Sequence, residues 1–340
     1  MNAGSGVRVG LTLPSFQSDP ERVLAVAKAA EEAGLDGVFA FDHLFRARGD
    51  AAEGERRPAL ELLTMTAAVA AATRRIMVGT LVARATLRPP AMLRAAFDTL
   101  ERIAPGRIIA GLGAGDDDSL AEDTAFGVLP GDPIPGRAPH LAVPHPDPAP
   151  ARGGSAPGGS APGGSAPGGS APGERQPRGQ APIEPGRYRL ARLEATVDAV
   201  SGRGYPLWLA GVTPAAIRLA ATRADGWNLW GGTADQFAVA AGRVRDELLA
   251  AGRNPAGFAL TWGGLAVLGA DPEEARAKSD RLGGDRPGIV RGTPSDVADQ
   301  IAAYAAAGAA WVILGPVDSS DPSNAAVLGD ALKILSSRRP

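Results

Sequence analysis

The sequence contains no cysteine and only three histidines among its 340 residues. Disulfides, thiolate metal sites and a cysteine nucleophile are therefore excluded. Lys and Arg number 35 against 37 Asp and Glu, and this small net charge argues against binding nucleic acid or a membrane surface. The chain lacks both a signal-peptide pattern at its start and an apolar run of about 18 residues. These absences, with 44% hydrophobic residues, predict a soluble cytoplasmic protein with a large core.

Short apolar runs alternate with helical segments along the chain, and eight of these runs predict strands. Each run is apolar throughout, which indicates burial on both faces, as in a parallel sheet covered by helices. We therefore predict an α/β fold, a (β/α)8 TIM barrel, with residues 1–340 as one domain. The predicted strands are Val7–Leu13, Gly37–Phe41, Ile76–Val82, Arg107–Gly113, Pro206–Gly211, Gly226–Trp230, Phe258–Leu268 and Ala310–Leu314.

The alternative architecture is an open doubly wound sheet, which usually carries a glycine-rich phosphate loop after its first strand. Here that strand is followed by Pro14-Ser15-Phe16-Gln17, so the barrel is favoured. The helices predicted between and after the strands are Pro20–Ala33, Pro58–Thr73, Pro89–Ala104, Arg187–Ser201, Thr213–Arg223, Thr233–Ala251, Thr293–Ala307 and Asn324–Ser336.

Residues 131–186 do not follow this alternation, because they are rich in Pro and Gly. They include four copies of Gly-Gly-Ser-Ala-Pro between Gly153 and Pro172. Such a composition buries too little apolar surface to offset the entropy of ordering, so we predict a disordered insertion after the fourth strand. It is either a tolerated low-complexity expansion or a lid over the site. His140 and His145 lie within it, without an acid or thiol arranged to complete a metal site.

An acid and a histidine, Asp42 and His43, follow the second predicted strand. TIM barrels keep their chemistry at the carboxyl ends of their strands. The pair could place a protonatable imidazole beside a carboxylate at that end. The alternative is structural, with Asp42 capping a loop and His43 packing against it.

Two further strand ends suit an anionic ligand. Gly211-Val212-Thr213-Pro214 opens a helix with exposed N–H groups, and Gly111–Gly115 permits close approach of a ligand to the backbone. A phosphorylated cofactor across the barrel mouth would fit both, although a plain capped helix and a turn would explain them too. We interpret Asp116–Asp118 as a solvated loop or the start of a helix rather than as ligands of a divalent metal. We therefore predict no metal site.

The order and spacing of many short motifs resemble the bacterial-luciferase-like flavin and deazaflavin oxidoreductases, especially the branch that uses coenzyme F-420. The matching motifs are Val9-Gly10-Leu11, Ala33-Gly34-Leu35-Asp36-Gly37, Phe41-Asp42-His43-Leu44, Val78-Gly79-Thr80-Leu81-Val82, Pro105-Gly106-Arg107, Gly111-Leu112-Gly113-Ala114-Gly115, Ala125-Phe126-Gly127, Arg192-Leu193-Glu194, Pro206-Leu207-Trp208-Leu209-Ala210-Gly211, Ala224-Asp225-Gly226-Trp227-Asn228 and Gly292-Thr293-Pro294.

The resemblance implies an oxidoreductase that transfers a hydride between F-420 and a small organic substrate, and it implies a homodimer. It also implies a non-proline cis peptide at Leu81-Val82, behind the cofactor ring. His43 would lie near the reacting carbon, and Asp42 would orient His43 or the cofactor. Asp116 takes the place of an acid found in the branch's sugar-phosphate dehydrogenases. The implied catalytic residues are His43 and Asp116, and the implied cofactor-binding residues are Asp42, Leu81, Val82, Arg84, Ala114, Gly115, Ser119, Gly211, Val212 and Thr213.

One departure from the branch concerns the substrate. The sugar-phosphate dehydrogenases carry a Trp shortly after the His, whereas this chain continues with Leu44-Phe45-Arg46-Ala47. A sugar phosphate is therefore not expected. Two alternatives to the deazaflavin enzyme remain, an FMN-dependent monooxygenase on the same fold and a non-catalytic protein that binds a flavin-type cofactor.

Overall fold

The computed structural model describes residues 6–16, 19–46, 57–115, 119, 122, 185–281 and 286–338. In chain order the strands are β1 (Arg8–Thr12), β2 (Gly37–Ala40), β3 (Phe45–Arg46), β4 (Arg57–Pro58), β5 (Met77–Thr80), β6 (Ala83–Arg84), β7 (Ile108–Gly113), β8 (Leu207–Ala210), β9 (Gly226–Trp230), β10 (Ala259–Leu268), β11 (Val290–Gly292) and β12 (Trp311–Pro316). The helices are α1 (Pro20–Glu32), α2 (Leu62–Ala72), α3 (Pro90–Ile103), α4 (Pro185–Val200), α5 (Pro214–Arg223), α6 (Ala234–Ala250), α7 (Pro272–Arg281), α8 (Pro294–Ala306) and α9 (Ser323–Ser337).

Eight parallel strands close into a barrel in the order β1, β2, β5, β7, β8, β9, β10 and β12, and β12 pairs back onto β1. The predicted TIM barrel is confirmed. Strands β6 and β11 extend its rim beside β7 and β10, and β3 pairs with β4 outside it. Among the residues that the structure describes, no helix is long and apolar enough to cross a membrane.

Local capping explains where the helices begin. Helix α1 begins after Asp19, whose side chain accepts from Glu21 N, and α5 begins after Thr213, as predicted. Helix α2 begins at Leu62 rather than at Pro58, because the Glu61 side chain accepts from Thr64 N and caps it there.

The short strands β3, β4, β6 and β11 and the helix α7 were not predicted. Strand β11 is only three residues long, and α7 is largely charged, burying only Ala275 and Lys278. Neither therefore carries the apolar pattern by which the other elements were assigned.

Helix α4 begins at Pro185, so the last two residues of the segment predicted as an insertion (131–186) belong to a helix. The Gly-Gly-Ser-Ala-Pro copies, His140 and His145 lie outside the described residues.

Aromatic rings fill the barrel below its mouth. Phe39 of β2 lies with its ring centroid 5.8 Å from that of Trp208 and 5.6 Å from that of Trp311. The two indoles are 5.6 Å apart and edge-on. Such a packed interior leaves room for a ligand only at the carboxyl ends of the strands.

A bulge interrupts the third barrel strand, between β5 and β6. Gly79 pairs with Ile109 and Ala83 with Leu112, so four steps on this strand oppose three on β7. One residue is therefore extra, as in a β-bulge. The Leu81-Val82 peptide within the bulge is cis, as the family resemblance implies.

Thr80 and Gly111 hold the bulge against β7. Thr80 Oγ1 donates to Gly111 O (2.7 Å) and accepts from Gly111 N (3.0 Å). A Cβ on Gly111 would lie 1.9 Å from the Thr80 carbonyl oxygen. Only glycine fits there without moving backbone.

We expect Gly111→Ala to lower the free energy of unfolding by about 2–3 kcal/mol, because the added methyl must displace the Thr80 carbonyl. The matched control is Gly242→Ala in α6, where a Cβ meets no atom within 4 Å. Replacing a mid-helix glycine there should stabilise the protein by about 0.5–1 kcal/mol. Urea denaturation of the two variants checks both values, and wild-type stability in Gly111→Ala would contradict this account of the bulge.

Candidate functional site

A buried carboxylate holds His43 at the barrel mouth. Glu122, only 4% exposed, accepts from His43 Nδ1 at 2.8 Å through Oε1. Its other oxygen accepts from Leu44 N and from Arg84 Nη2, both at 2.8 Å. Since a carboxylate oxygen accepts, the neutral imidazole that suits this contact carries its proton on Nδ1 and has Nε2 as its acceptor.

Asp42 does not contact His43 in this way. Its carboxylate is 3% exposed and accepts from Arg84 N at 2.9 Å and from Arg88 Nη1 and Nη2 at 2.5 and 3.1 Å. The prediction that Asp42 orients His43 or the cofactor stays a prediction; in the structure Arg88 occupies both Asp42 oxygens, and Glu122 holds His43. Asp42 instead ties the end of β2 to β6, just after the bulge.

Arg88 also bonds to Glu61, at the start of α2. Burial lowers the pKa of Arg88, but Asp42 and Glu61 outweigh it, so that pKa lies above its ordinary value. Burial likewise raises the pKa of Glu61, but Thr64 and Arg88 outweigh it, so that pKa lies below its usual range. Both groups are therefore charged at neutral pH, and together they fix the loop after β6.

Aromatic rings flank His43. Its ring centroid lies 5.6 Å from that of Phe16 and 5.7 Å from that of Phe41, and the two phenyl rings are 5.3 Å apart. The side chain of His43 is nevertheless 35% exposed. The imidazole is thus held at Nδ1 and packed against two phenyl rings, while part of it remains accessible to a ligand.

Predicted anion-binding residues converge on the neighbouring side of the mouth. A Cβ on Gly115 would lie 3.5 Å from Arg84 Cδ, 3.9 Å from Ser119 Cβ and 4.0 Å from Arg189 Cδ. Because Leu112 of β7 pairs with Leu209 of β8, the loops carrying Ala114-Gly115 and Gly211-Val212-Thr213 are neighbours. Asp116 lies outside the described residues.

Two buried donors on this side lack a hydrogen-bond partner within the described ranges, Thr86 Oγ1 and Arg192 Nε. Arg192 also donates through Nη2 to Arg88 O at 2.9 Å, which places it beside the loop after β6. Buried polar atoms are normally paired, so spare donors among arginines suit an anionic ligand.

Sequence reasoning missed Glu122. The residue lies 79 positions from His43 along the chain. No local motif marks it, since Asp116, Asp117 and Asp118 precede it closely in the sequence. Only a three-dimensional contact distinguishes it from them.

Comparison with known proteins identifies the family of the chain. The family model for luciferase-like monooxygenases matches residues 4–140 and 180–289. The F420-dependent glucose-6-phosphate dehydrogenase of Nakamurella multipartita is 40% identical over 111 residues, which are 32% of this chain and 31% of that protein. The enzyme of the same name from Kineococcus radiotolerans is 38% identical over 126 residues, 37% of this chain and 35% of that protein. The chain thus spans about a third of the length of these curated relatives.

Solved structures share the fold at low identity. An F420-dependent secondary alcohol dehydrogenase in complex with an F420-acetone adduct has a TM-score of 0.64 at 14% identity, covering 97% of this chain and 99% of that one. The coenzyme F420-dependent tetrahydromethanopterin reductase of Methanopyrus kandleri has a TM-score of 0.66 at 16% identity, covering 97% and 100%. Because the family model matches more than half of the chain, the protein belongs to the luciferase-like monooxygenase family.

Proposed function

We propose that this protein transfers a hydride between the deazaflavin coenzyme F-420 and a small organic substrate at the barrel mouth. The observation that carries the proposal is the contact of Glu122 with His43 Nδ1, which leaves a half-open imidazole with Nε2 as a base. The curated relatives named as F420-dependent enzymes support the choice of coenzyme. When bound, the coenzyme would supply the redox chemistry, and the protein supplies position and proton transfer.

The residues available to hold F-420 lie on one side of the mouth. Leu81 and Val82 form the bulge that would back the ring. The tail of the coenzyme is anionic, and the donors suited to it surround Gly115 and Thr213. We propose the following residues for coenzyme binding: Leu81, Val82, Arg84, Ala114, Gly115, Ser119, Gly211, Val212 and Thr213. Asp42 would support them indirectly through Arg84 and Arg88.

His43 would take a proton from a substrate hydroxyl at Nε2, or return it in the opposite direction. Glu122 would stabilise the imidazolium that results, because its carboxylate lies 2.8 Å from Nδ1. The aromatic barrel floor keeps water out from below. Asp116 remains a proposed second catalytic residue, and the homodimer and the cytoplasmic location likewise remain proposals.

His43→Ala should lower turnover with F-420 about 10²–10⁴-fold, the usual contribution of one positioned acid–base group. The dissociation constant for F-420 should change less than threefold, because the donors proposed for its tail lie elsewhere. Stopped-flow absorbance of the coenzyme and fluorescence titration separate the two quantities. Turnover equal to wild type would rule out His43 as the proton carrier.

The same titration, run with F-420 and with reduced FMN, distinguishes the proposed function from its alternatives. Tight binding of F-420 and oxidation or reduction of an added substrate support the proposal. Preference for reduced FMN with consumption of oxygen indicates a monooxygenase, and binding without turnover of any substrate indicates a carrier.

Glu122→Gln should lower kcat at least tenfold while the dissociation constant for F-420 stays within threefold. The amide keeps the shape of the side chain but no longer stabilises a protonated His43. Glu61→Gln is the matched control, because it removes a carboxylate from the Arg88 network without touching His43. The role of Glu122 would be refuted by equal loss of kcat in both variants, with circular dichroism showing that each is folded.

A further inference from the structure

We infer that Arg84 is a positioning residue that acts through Glu122 and keeps the imidazole of His43 uncharged at neutral pH, able to accept a proton. The inference rests on the proposed function, because it concerns how that same site is held ready for proton transfer. Its basis is a row of three side chains at the barrel mouth, in which Glu122 bonds to both of the others. We call Arg84, Glu122 and His43 the charge triad.

The charge triad becomes more buried from the histidine to the arginine. The side chain of His43 is 35% exposed, whereas those of Glu122 and Arg84 are 6% and 4% exposed. Glu122 Oε1 accepts from His43 Nδ1 at 2.8 Å, and its Oε2 accepts from Arg84 Nη2, also at 2.8 Å. A single carboxylate therefore separates the guanidinium from the imidazole, and bulk water screens the two buried charges little.

Arg84 brings a charge to this row as well as a hydrogen-bond donor. Glu122 already accepts from His43 and from Leu44 N without the arginine. A buried carboxylate beside a histidine alone would favour the imidazolium, because protonation would then neutralise the pair. With the guanidinium present the carboxylate is already neutralised, and protonation of His43 would leave one positive charge in excess. Arg84 therefore favours the neutral imidazole, whose acceptor is Nε2.

The other charged groups around His43 have partners of their own. Asp42, the adjacent residue, accepts from both terminal nitrogens of Arg88. Glu61, at the start of α2, bonds to the same guanidinium, and its side chain is 45% exposed, so water screens its charge. The two rings that pack on the imidazole are phenyl groups without charge. The charge triad is thus where the charge of the imidazole is set.

NMR of the full chain with isotope-labelled histidine, without coenzyme, measures the charge of His43 directly. The chain contains only three histidines, and the spectrum of His43→Ala identifies the signal of this one. Arg84→Met should raise the pH at which His43 loses its proton by about 1–1.5 pH units, the effect expected of one positive charge lost across a carboxylate at an effective dielectric constant of about 20. Arg84→Lys keeps the charge and should move that pH by less than half as much.

A double-variant cycle separates charge from support of the fold. Glu122→Gln should lower the pH at which His43 loses its proton, because the amide no longer attracts the imidazolium while Arg84 still repels it. The double variant removes one charge of each sign, so it should titrate between the two single variants. A residue that only supported the fold would not give opposite changes that offset each other in this way.

The pH dependence of kcat at saturating F-420 gives a second measurement. Arg84→Met should lose activity at about pH 7 and recover it at higher pH, in step with the NMR titration. The matched control is Arg107→Met. Arg107 lies just before β7, at the end of the barrel away from the mouth, and donates to the carbonyls of Ala70 and Ile76. That variant should lose stability but keep the wild-type pH dependence.

Three results would overturn the inference. They are a wild-type His43 that is protonated at about pH 7.5, an unchanged or lowered titration in Arg84→Met, and equal changes in Arg84→Met and Arg107→Met. Should Arg84→Met fail to fold, Arg84→Gln, which is also uncharged but retains a donor, replaces it in the same titration. Failure of the wild-type protein to turn over F-420 would overturn the proposed function instead, while the titration without coenzyme would still decide the role of Arg84.

Discussion

The carboxylate of Glu122 is the contact on which the site depends. It joins the loop after β2, through His43 and Leu44 N, to Arg84 on β6. Burying an ionised carboxylate is costly unless donors replace its water, and here three do. Loss of any one donor would leave the buried charge of Glu122 undercompensated. The contact that positions the imidazole therefore also stabilises the barrel mouth. Asp42, though adjacent to His43 in sequence, completes the same network from the opposite side by holding Arg88.

The barrel mouth has a polar sector, which contains this network, and a more apolar sector. Buried arginines and carboxylates occupy the sector from β2 to β7, where a charged coenzyme would need fixed donors. The sector from β9 to β12 carries three exposed apolar side chains, those of Trp230, Leu265 and Val317, and its Lys278 is paired with Glu274 and Asp318.

Much of the fold followed from the sequence because barrel strands buried on both faces are apolar throughout, and all eight were recognised. Helix α7 was not recognised, because its surface is charged on nearly every side. The site was harder to predict. His43 and Gly115 were chosen as candidates from strand ends and glycine patterns, whereas the Leu81-Val82 cis peptide was expected from a family resemblance. Glu122 could not be found, since its importance lies in a contact with a residue 79 positions away.

The residues that follow His43, where this chain differs from the F-420 branch, contribute to the site. Where related sugar-phosphate dehydrogenases are expected to carry a Trp, this chain has Leu44-Phe45, and the Leu44 N–H serves Glu122. An exposed indole lies instead at the end of β9, on Trp230, and β9 is the sixth barrel strand whereas β2 is the second. A tryptophan at the end of β9 therefore cannot stand in for one in the loop after β2, because the two positions lie four strands apart around the barrel and reach the mouth from different sides.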